Sequence, residues 1–238
     1  MSPFWLTAFL DYPVAEYDAA VGHWQRLTGW ELSPRRGDDH EFASLLPPDG
    51  DEFLRAQRLA VGTSGIHLDL HVGDVGRAAA LAVDHGASEV ADRGYRTLCS
   101  PGGFVFCLVD SPASRRPAAT RWPDDHRSIV DQVCLDIPAE RWDDETAFWS
   151  SITGWSVREI VQPFRRLNQP ALAIKLLLQR LDQETGSVRA HLDWATDHRQ
   201  AEIDRHLAAG STLVRRYPMW TVMTGPGGTY CITGRKPD

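Results

Sequence analysis

The sequence has little cysteine and no long apolar segment, and each shortage excludes a class of protein. Its four cysteines, Cys99, Cys107, Cys134 and Cys231, lack the CxxC spacing of a zinc ribbon, and four in 238 residues are too few for a disulfide scaffold. No apolar run reaches the roughly 18 residues of a membrane span, and the N-terminus has no basic stretch followed by an apolar one. We therefore expect reduced thiols, no membrane partner and a cytoplasmic location.

A concentrated positive charge is also lacking. The formal net charge is -7, from 25 basic and 32 acidic residues, and the basic residues are scattered along the chain. Binding of nucleic acid needs a clustered cationic surface, so a nucleic-acid partner is not expected. The segments SPGGF and GPGGT lack the GxxxxGK[ST] spacing of a phosphate loop and are typical of tight turns. A small molecule is the expected partner.

The sequence contains the same pattern twice. WQRLTGWEL at 24–32 matches WSSITGWSV at 149–157, which gives a shift of 149 − 24 = 125. FLDYP matches CLDIP and SPGGF matches GPGGT at the same shift, whereas the two HLD motifs differ by 191 − 67 = 124. Collinear matches of this kind indicate an internal duplication. We predict two domains, 1–110 and 129–238, joined by a linker over 111–128 that is rich in proline, serine and charge.

The periodicity within each half predicts an α+β fold. Apolar residues at helical spacing end at Gly29 in the first half and at Gly154 in the second, where glycine can adopt a left-handed conformation. Asp74 is placed to cap a second helix that runs to Gly86. The predicted order is strand, helix and three strands, repeated twice in each domain. The chain would then hold four tandem βαβββ modules.

These motifs resemble the vicinal oxygen chelate superfamily, which includes glyoxalases, bleomycin-resistance proteins and extradiol dioxygenases. The resemblance rests on TGW after the first helix, HLDL at the midpoint and PGG before the last strand. It covers nearly the whole chain outside the linker and the termini. It implies that the four modules form two glyoxalase-like half-open barrel domains, each with a ligand cavity inside and helices outside.

The resemblance also implies where a metal would bind. Metal-dependent members use a His in the first strand, a His that opens the middle strand and a Glu in the last strand. The corresponding residues are Thr7, His67 and Cys107 in the first half and Gln132, His191 and Ile232 in the second. Since one strong ligand is left in each half, we expect no metal cofactor. The alternative is a divalent metal held by His67, Cys107 and a ligand that the sequence does not reveal.

The HLD strands carry the candidate catalytic residues. Residues two apart share one face of a strand, which pairs His67 with Asp69 and His191 with Asp193. An aspartate beside a histidine can fix the ring tautomer and raise its basicity, so each pair is a candidate acid/base or ligand anchor. The same motif in both halves is equally explained by a structural role in the fold.

Positions where the two halves differ are candidates for ligand binding. His71 has Ala195 as its counterpart, Trp220 has no aromatic counterpart, and Tyr230 corresponds to Val105. Trp194 and Trp220 together are expected to form an aromatic wall. The predicted ligand-binding set is Thr7, His71, Cys107, Gln132, Trp194, Trp220 and Tyr230.

The resulting hypothesis is a metal-free protein that binds a small organic molecule, similar to bleomycin-resistance proteins. A second hypothesis is a metal-independent lyase, isomerase or hydrolase that uses a His-Asp pair. A third is a metal-dependent glyoxalase or dioxygenase. Either a monomer with pseudo-symmetric domains or a homodimer agrees with the duplication.

Overall fold

The computed structural model describes residues 2–237 and contains the four predicted modules. The first module comprises β1 (Trp5–Pro13), α1 (Val14–Thr28), β2 (Glu31–Leu32), β3 (Phe42–Leu46) and β4 (Leu54–Leu59). The second comprises β5 (Gly65–His71), α2 (Val75–Asp84), β6 (Ser88–Asp92), β7 (Arg96–Cys99) and β8 (Val105–Val109). A short strand, β9 (Thr120–Arg121), lies in the segment predicted as a linker and pairs with the start of the following strand.

The second half of the chain repeats this order. The third module comprises β10 (Arg127–Ile137), a 3-10 turn (Ala139–Arg141), α3 (Trp142–Thr153), β11 (Val157–Glu159), β12 (Phe164–Leu167) and β13 (Lys175–Arg180). The fourth comprises β14 (Arg189–Thr196), α4 (Arg199–Ala208), β15 (Thr212–Arg216), β16 (Trp220–Gly225) and β17 (Gly228–Thr233). The predicted α+β class and the fourfold βαβββ order are confirmed.

The strands form two mixed sheets with the same topology. One sheet has the order β2-β3-β4-β1-β5-β8-β7-β6, and the other has the order β11-β12-β13-β10-β14-β17-β16-β15 with β9 beside β10. The HLD strands β5 and β14 each run parallel to the last strand of their module, β8 and β17. None of the helices within residues 2–237 is long and apolar enough to cross a membrane.

The chain divides into two compact units, and each draws on both halves of the sequence. Unit 1 consists of Met1–Ala8, Ile66–Ser114 and Val133–Ala190, and unit 2 consists of Phe9–Gly65, Arg115–Gln132 and His191–Asp238. In unit 1, Phe106 of β8 packs against Phe148 and Trp149 of α3, with ring centroids 5.8 and 5.4 Å apart. The predicted domains 1–110 and 129–238 describe the repeat in the sequence, and their boundaries remain a prediction.

Helix ends follow the expected signals. α1 and α3 end at Gly29 and Gly154, whose φ angles of 70° and 72° are left-handed. Asp74 caps α2 by accepting a hydrogen bond from the backbone N–H of Arg77 at 2.9 Å. In the second copy His198 takes this place, with its ring accepting from the N–H of Ala201 at 3.1 Å.

In unit 1, the PGG turn before β8 is held by a buried side chain of α3. The N–H of Gly102 donates to Glu145, 2.5 Å away, and Trp149 Nε1 donates to the same carboxylate at 2.8 Å. Burial raises the pKa of Glu145 in spite of these hydrogen bonds. A Cβ at Gly102 would lie 2.5 Å from Val188 Cγ2, so the turn has no room for a side chain.

In unit 2, a tyrosine holds the corresponding turn before β17. The hydroxyl of Tyr12 donates to the carbonyl of Gly227 at 2.7 Å and accepts from Trp24 Nε1 at 2.7 Å. The repeated tryptophans of α1 and α3 therefore act in the same way, because each indole N–H fixes the polar group that holds a PGG turn. This pairing explains why the tryptophans and the PGG motifs recur together.

Candidate functional site

The HLD strand of unit 1 presents its polar residues on the sheet face that points away from the helices. In the parallel register Leu68 lies beside Phe106, which packs on α3, so Leu68 belongs to the helix-facing side. His67, Asp69 and His71 consequently lie on the opposite face, and all three are buried. Asp69 is paired in register with Cys107, which places that thiol on the same polar face.

His67, Asp69 and Cys107 form a compact cluster, which we call the β5 cluster. His67 Nε2 lies 3.9 Å from Asp69 Oδ1. One imidazole nitrogen, one carboxylate oxygen and the Cys107 sulfur all lie within 4.8 Å of one another. The hydroxyl of Thr97 on β7 lies 3.5 Å from Cys107 Sγ. The fold therefore brings the predicted catalytic residues His67 and Asp69 close to the predicted ligand-binding residue Cys107.

Thr7 and His71 bind each other on the same face. His71 Nδ1 lies 2.7 Å from the carbonyl oxygen of Ser111, which can only accept, so Nδ1 carries a proton. In the neutral ring Nε2 is then an acceptor, and the hydroxyl of Thr7 donates to it at 2.9 Å. His71 is 1% exposed and Thr7 is 0% exposed. These contacts give both predicted ligand-binding residues a structural role in joining β1 to β5.

The corresponding face in unit 2 carries a longer polar chain. His191 Nε2 lies 3.4 Å from Asp193 Oδ1, and Gln132 Nε2 donates to Asp193 Oδ2 at 2.5 Å. Arg235 Nη1 donates to Gln132 Oε1 at 2.5 Å, and the same guanidinium pairs with Asp131. The structure thus brings the predicted residues Gln132, His191 and Asp193 together, in a different arrangement from that of the β5 cluster.

The register corrects the sequence alignment of the last strand. Asp193 pairs with Cys231, as Asp69 pairs with Cys107, so Cys231 and not Ile232 is the counterpart of Cys107. The shift between these cysteines is 231 − 107 = 124, equal to that of the HLD motifs. The turn before β17 is one residue shorter than its counterpart, and a slip of one residue moves every side chain to the other face.

Because of this slip, Tyr230 lies on the helix-facing side of the sheet and not on the cavity side expected from the sequence. Tyr230 faces the helices, is 0% exposed, and packs on Trp24 of α1 with ring centroids 5.6 Å apart. Its hydroxyl lies 2.9 Å from His206 Nδ1 and 2.6 Å from Ser211 Oγ. Burial raises the pKa of the Tyr230 phenol, which therefore stays protonated.

The two tryptophans of the expected aromatic wall lie on opposite faces of the sheet, so they do not form one wall. Trp194 directly follows Asp193, so it points to the helix side, where it is 1% exposed and lies 4.9 Å from the ring of His206. Trp220 is half-buried on the polar face, because the register through Val222 and Cys231 places it on the side of Asp193. The aromatic neighbour of Trp220 is Tyr217 and not Trp194, and the ring centroids of Tyr217 and Trp220 are stacked 4.6 Å apart.

The sequence reasoning missed a buried charge network behind β17. Glu202 of α4 is 0% exposed and contacts His126 Nε2 at 2.7 Å, His206 Nε2 at 2.8 Å and Arg205 Nη2 at 2.7 Å. Burial raises the pKa of Glu202, but the hydrogen bonds from His206 and Arg205 outweigh it and hold the pKa below its usual range. Glu202 lies three and four residues before Arg205 and His206 on α4, a spacing that the sequence shows, whereas His126 joins from a distant segment that no motif marks.

A family model described as a glyoxalase-like domain matches residues 7–109 and 132–233. The chain belongs to the glyoxalase-like domain family. Both copies of the glyoxalase-like domain contain an HLD strand and a PGG turn. The resemblance to the vicinal oxygen chelate superfamily is thereby confirmed.

Solved structures share this glyoxalase-like fold across almost the whole chain. They include 2,2',3-trihydroxybiphenyl 1,2-dioxygenase from Sphingomonas wittichii strain RW1, with a TM-score of 0.67, 16% identity, and coverage of 98% of this chain and 90% of that one. The Mn(II)-bound glyoxalase from Novosphingobium aromaticivorans has a TM-score of 0.66 and 16% identity, and the match covers 100% of this chain and 84% of that one. A mutant of 4-hydroxymandelate synthase from Streptomyces coelicolor has a TM-score of 0.65, 15% identity, and coverage of 100% and 95%. At such identities the likeness shows the fold alone. No curated protein matches the sequence.

Proposed function

We propose that this protein binds a small organic molecule on the polar face of unit 1, at the β5 cluster. The supporting observation is the concentration of an imidazole, a carboxylate and a thiol within 4.8 Å on a face that points away from the helices. Buried polar groups of this kind orient a ligand by a few directed hydrogen bonds. Bleomycin-resistance proteins are the members of the superfamily whose activity this proposal most resembles.

In both halves, the first-strand metal-ligand position of the family holds a residue that is already engaged in hydrogen bonds. The first-strand position holds Thr7, whose hydroxyl donates to His71 Nε2. Its counterpart Gln132 bridges Asp193 and Arg235. An amide or a hydroxyl so engaged is a poor replacement for an imidazole ligand. A ligand would therefore be recognised by hydrogen bonds and charge, and the net charge of -7 favours a cationic molecule.

Binding is tested by calorimetry with bleomycin and a panel of aromatic amines and catechols. We expect His67→Gln and Asp69→Asn each to weaken binding about tenfold or more, because a hydrogen bond to a charged group contributes about 1.5–3 kcal/mol. His191→Gln, at the matching position of β14, serves as the control and should leave that affinity unchanged. Equal losses for the unit 1 variants and the control, or no binding by the folded wild type, would refute the proposal.

A second candidate function is metal-independent acid/base catalysis at His191. The favouring observation is the 3.4 Å approach of His191 Nε2 to Asp193 Oδ1 while Gln132 holds the other carboxylate oxygen. A carboxylate held in this way can orient the imidazole for proton transfer. Mass spectrometry of each ligand after incubation separates the two functions, because a binding protein returns its ligand unchanged.

We also propose a cytoplasmic location and one of two assemblies, a monomer or a homodimer. The proposed site is the same for both assemblies. Light scattering of the purified protein distinguishes the two assemblies.

A further inference from the structure

We infer that a groove beside α4 in unit 2 is a second small-molecule site, which binds an organic cation with an ammonium group on an aromatic body. The groove lies between the turn that joins β9 to β10 and the first turns of α4, and its volume is about 410 Å³. Ligand pockets of proteins are commonly of this size. The lining residues belong to unit 2 alone, so the inference does not depend on the β5 cluster of unit 1.

The groove is not part of the repeated module. The strand β9, which leads into the turn, is added to one of the two sheets. At the shift of 124 between the two halves, α4 carries charged and polar residues where α2 is apolar: Glu202, Arg205 and His206 correspond to Ala78, Leu81 and Ala82. Burying charges costs free energy, and the fold accepts apolar residues at these positions. The charged set of α4 is therefore not required by the module, and it accompanies the added turn.

These charges hold the two walls of the groove in place. Glu202 is 0% exposed and contacts His126 Nε2 at 2.7 Å, and His126 Nδ1 lies 2.5 Å from Asp124 Oδ1 in the turn. The guanidinium carbon of Arg205 lies 3.6 Å from the centre of the Trp122 ring. Both contacts join α4 to the turn. Walls that are fixed in advance bind a ligand with a smaller loss of entropy.

The charges that the groove offers to a ligand are negative. The guanidinium of Arg205 is already compensated, because its Nε and Nη2 donate to Glu202 at 3.0 and 2.7 Å. Asp124 and Asp204 line the groove and are exposed, and each uses its Oδ1 to hold a neighbouring side chain. Their Oδ2 atoms can accept charge-assisted hydrogen bonds from an ammonium group. An anion would instead be repelled by both carboxylates.

The remaining lining favours an aromatic body on the ligand. Trp122, Pro123 and Ala201 provide apolar surface between the two carboxylates. The indole of Trp122 is fixed, because its Nε1 donates to Ser128 Oγ at 2.8 Å. An aromatic ring buries apolar area on this wall, and the ammonium group can then reach the carboxylates. The chemical class that fits both features is an arylalkylamine.

Calorimetry with tryptamine tests this inference on the full-length protein. Tryptophol and indole-3-propionate have the same ring, but a hydroxyl or a carboxylate replaces the ammonium group. We expect tryptamine to bind at least about fivefold more tightly than tryptophol, and indole-3-propionate to bind most weakly. Asp124→Asn and Asp204→Asn should each weaken tryptamine binding about two- to fivefold, because each removes one exposed charge but keeps the side-chain shape. Asp84→Asn on α2 changes the net charge equally, does not line the groove and serves as the control.

Three results would overturn the inference: no tryptamine binding by the folded wild type, equal affinity for the three indoles, or unchanged affinity in the folded double variant with Asp124→Asn and Asp204→Asn. Circular dichroism establishes that each variant is folded. Titration of Asp69→Asn separates the groove from the β5 cluster. Binding that is lost in Asp69→Asn and kept in the groove variants assigns the amine to the β5 cluster and removes the groove as a site. The opposite pattern supports the groove, whatever the fate of the proposed function.

Discussion

Removing the hydroxyl of Tyr12 directly tests how the PGG turn of unit 2 is held. Tyr12→Phe removes one oxygen atom that donates to the Gly227 carbonyl and accepts from Trp24 Nε1, both at 2.7 Å. Tyr12 is 3% exposed and Trp24 is 1% exposed, so water cannot replace the lost contacts. Burial also raises the pKa of the Tyr12 phenol, which keeps its proton available for donation across the neutral range.

The expected loss of stability follows from these two contacts. Each hydrogen bond contributes about 1 kcal/mol net, and the stranded indole N–H and carbonyl add a desolvation penalty of similar size. We therefore expect Tyr12→Phe to lower the free energy of unfolding by about 2–4 kcal/mol. For a chain of this length, that loss corresponds to a fall in melting temperature of roughly 4–16 °C.

Urea unfolding followed by tryptophan fluorescence and circular dichroism measures the loss. Tyr17→Phe is the matched control, because Tyr17 lies on the same helix as Trp24 and is 1% exposed, but its hydroxyl neighbours the Arg35 guanidinium and not a PGG turn. Removing a hydroxyl that holds no turn should change stability by less than about 1 kcal/mol. Equal effects of the two substitutions would refute the claim that Tyr12 holds the turn.

Two further predictions concern the PGG turn of unit 1 and a buried histidine. Gly102→Ala should lower the free energy of unfolding, measured in urea, by about 1–3 kcal/mol, because the new Cβ would lie 2.5 Å from Val188 Cγ2. Gly76→Ala in α2 is the control: the nearest atom to its new Cβ is 3.7 Å away, and it should raise the free energy of unfolding by about 0.5–1 kcal/mol. Burial lowers the pKa of His23 from 6.5 to about 4. Between pH 4 and pH 6.5 the unfolded state therefore binds more protons than the folded state. The stability that neutral His23 contributes is fully present above pH 6.5 and is lost as the pH falls towards 4. His23→Gln should reduce the fall in stability between pH 7 and pH 4, and an unchanged pH profile would contradict this assignment.

Patterns along the chain were sufficient to predict the duplication, the order of the elements and the ends of the first helices. Those features depend on local rules: apolar periodicity, a left-handed glycine after α1 and a capping aspartate before α2. The alternation of the HLD strand likewise placed His67 and Asp69 on one face. The duplication follows from comparing the two halves of the sequence, and each of the other inferences needs only neighbours along the chain.

The partners of the polar side chains, in contrast, depend on the tertiary structure. Thr7 occupies the position expected from the sequence, but its bond to His71 depends on how β1 meets β5. Tyr230 was placed on the wrong face, because the missing residue before β17 becomes visible only in the strand register. Cys107 lies beside Asp69 for the same reason, since the register of β5 with β8 pairs these two residues. Spacing along a chain sets which face a residue occupies, whereas the pairing of distant strands sets which atoms meet there.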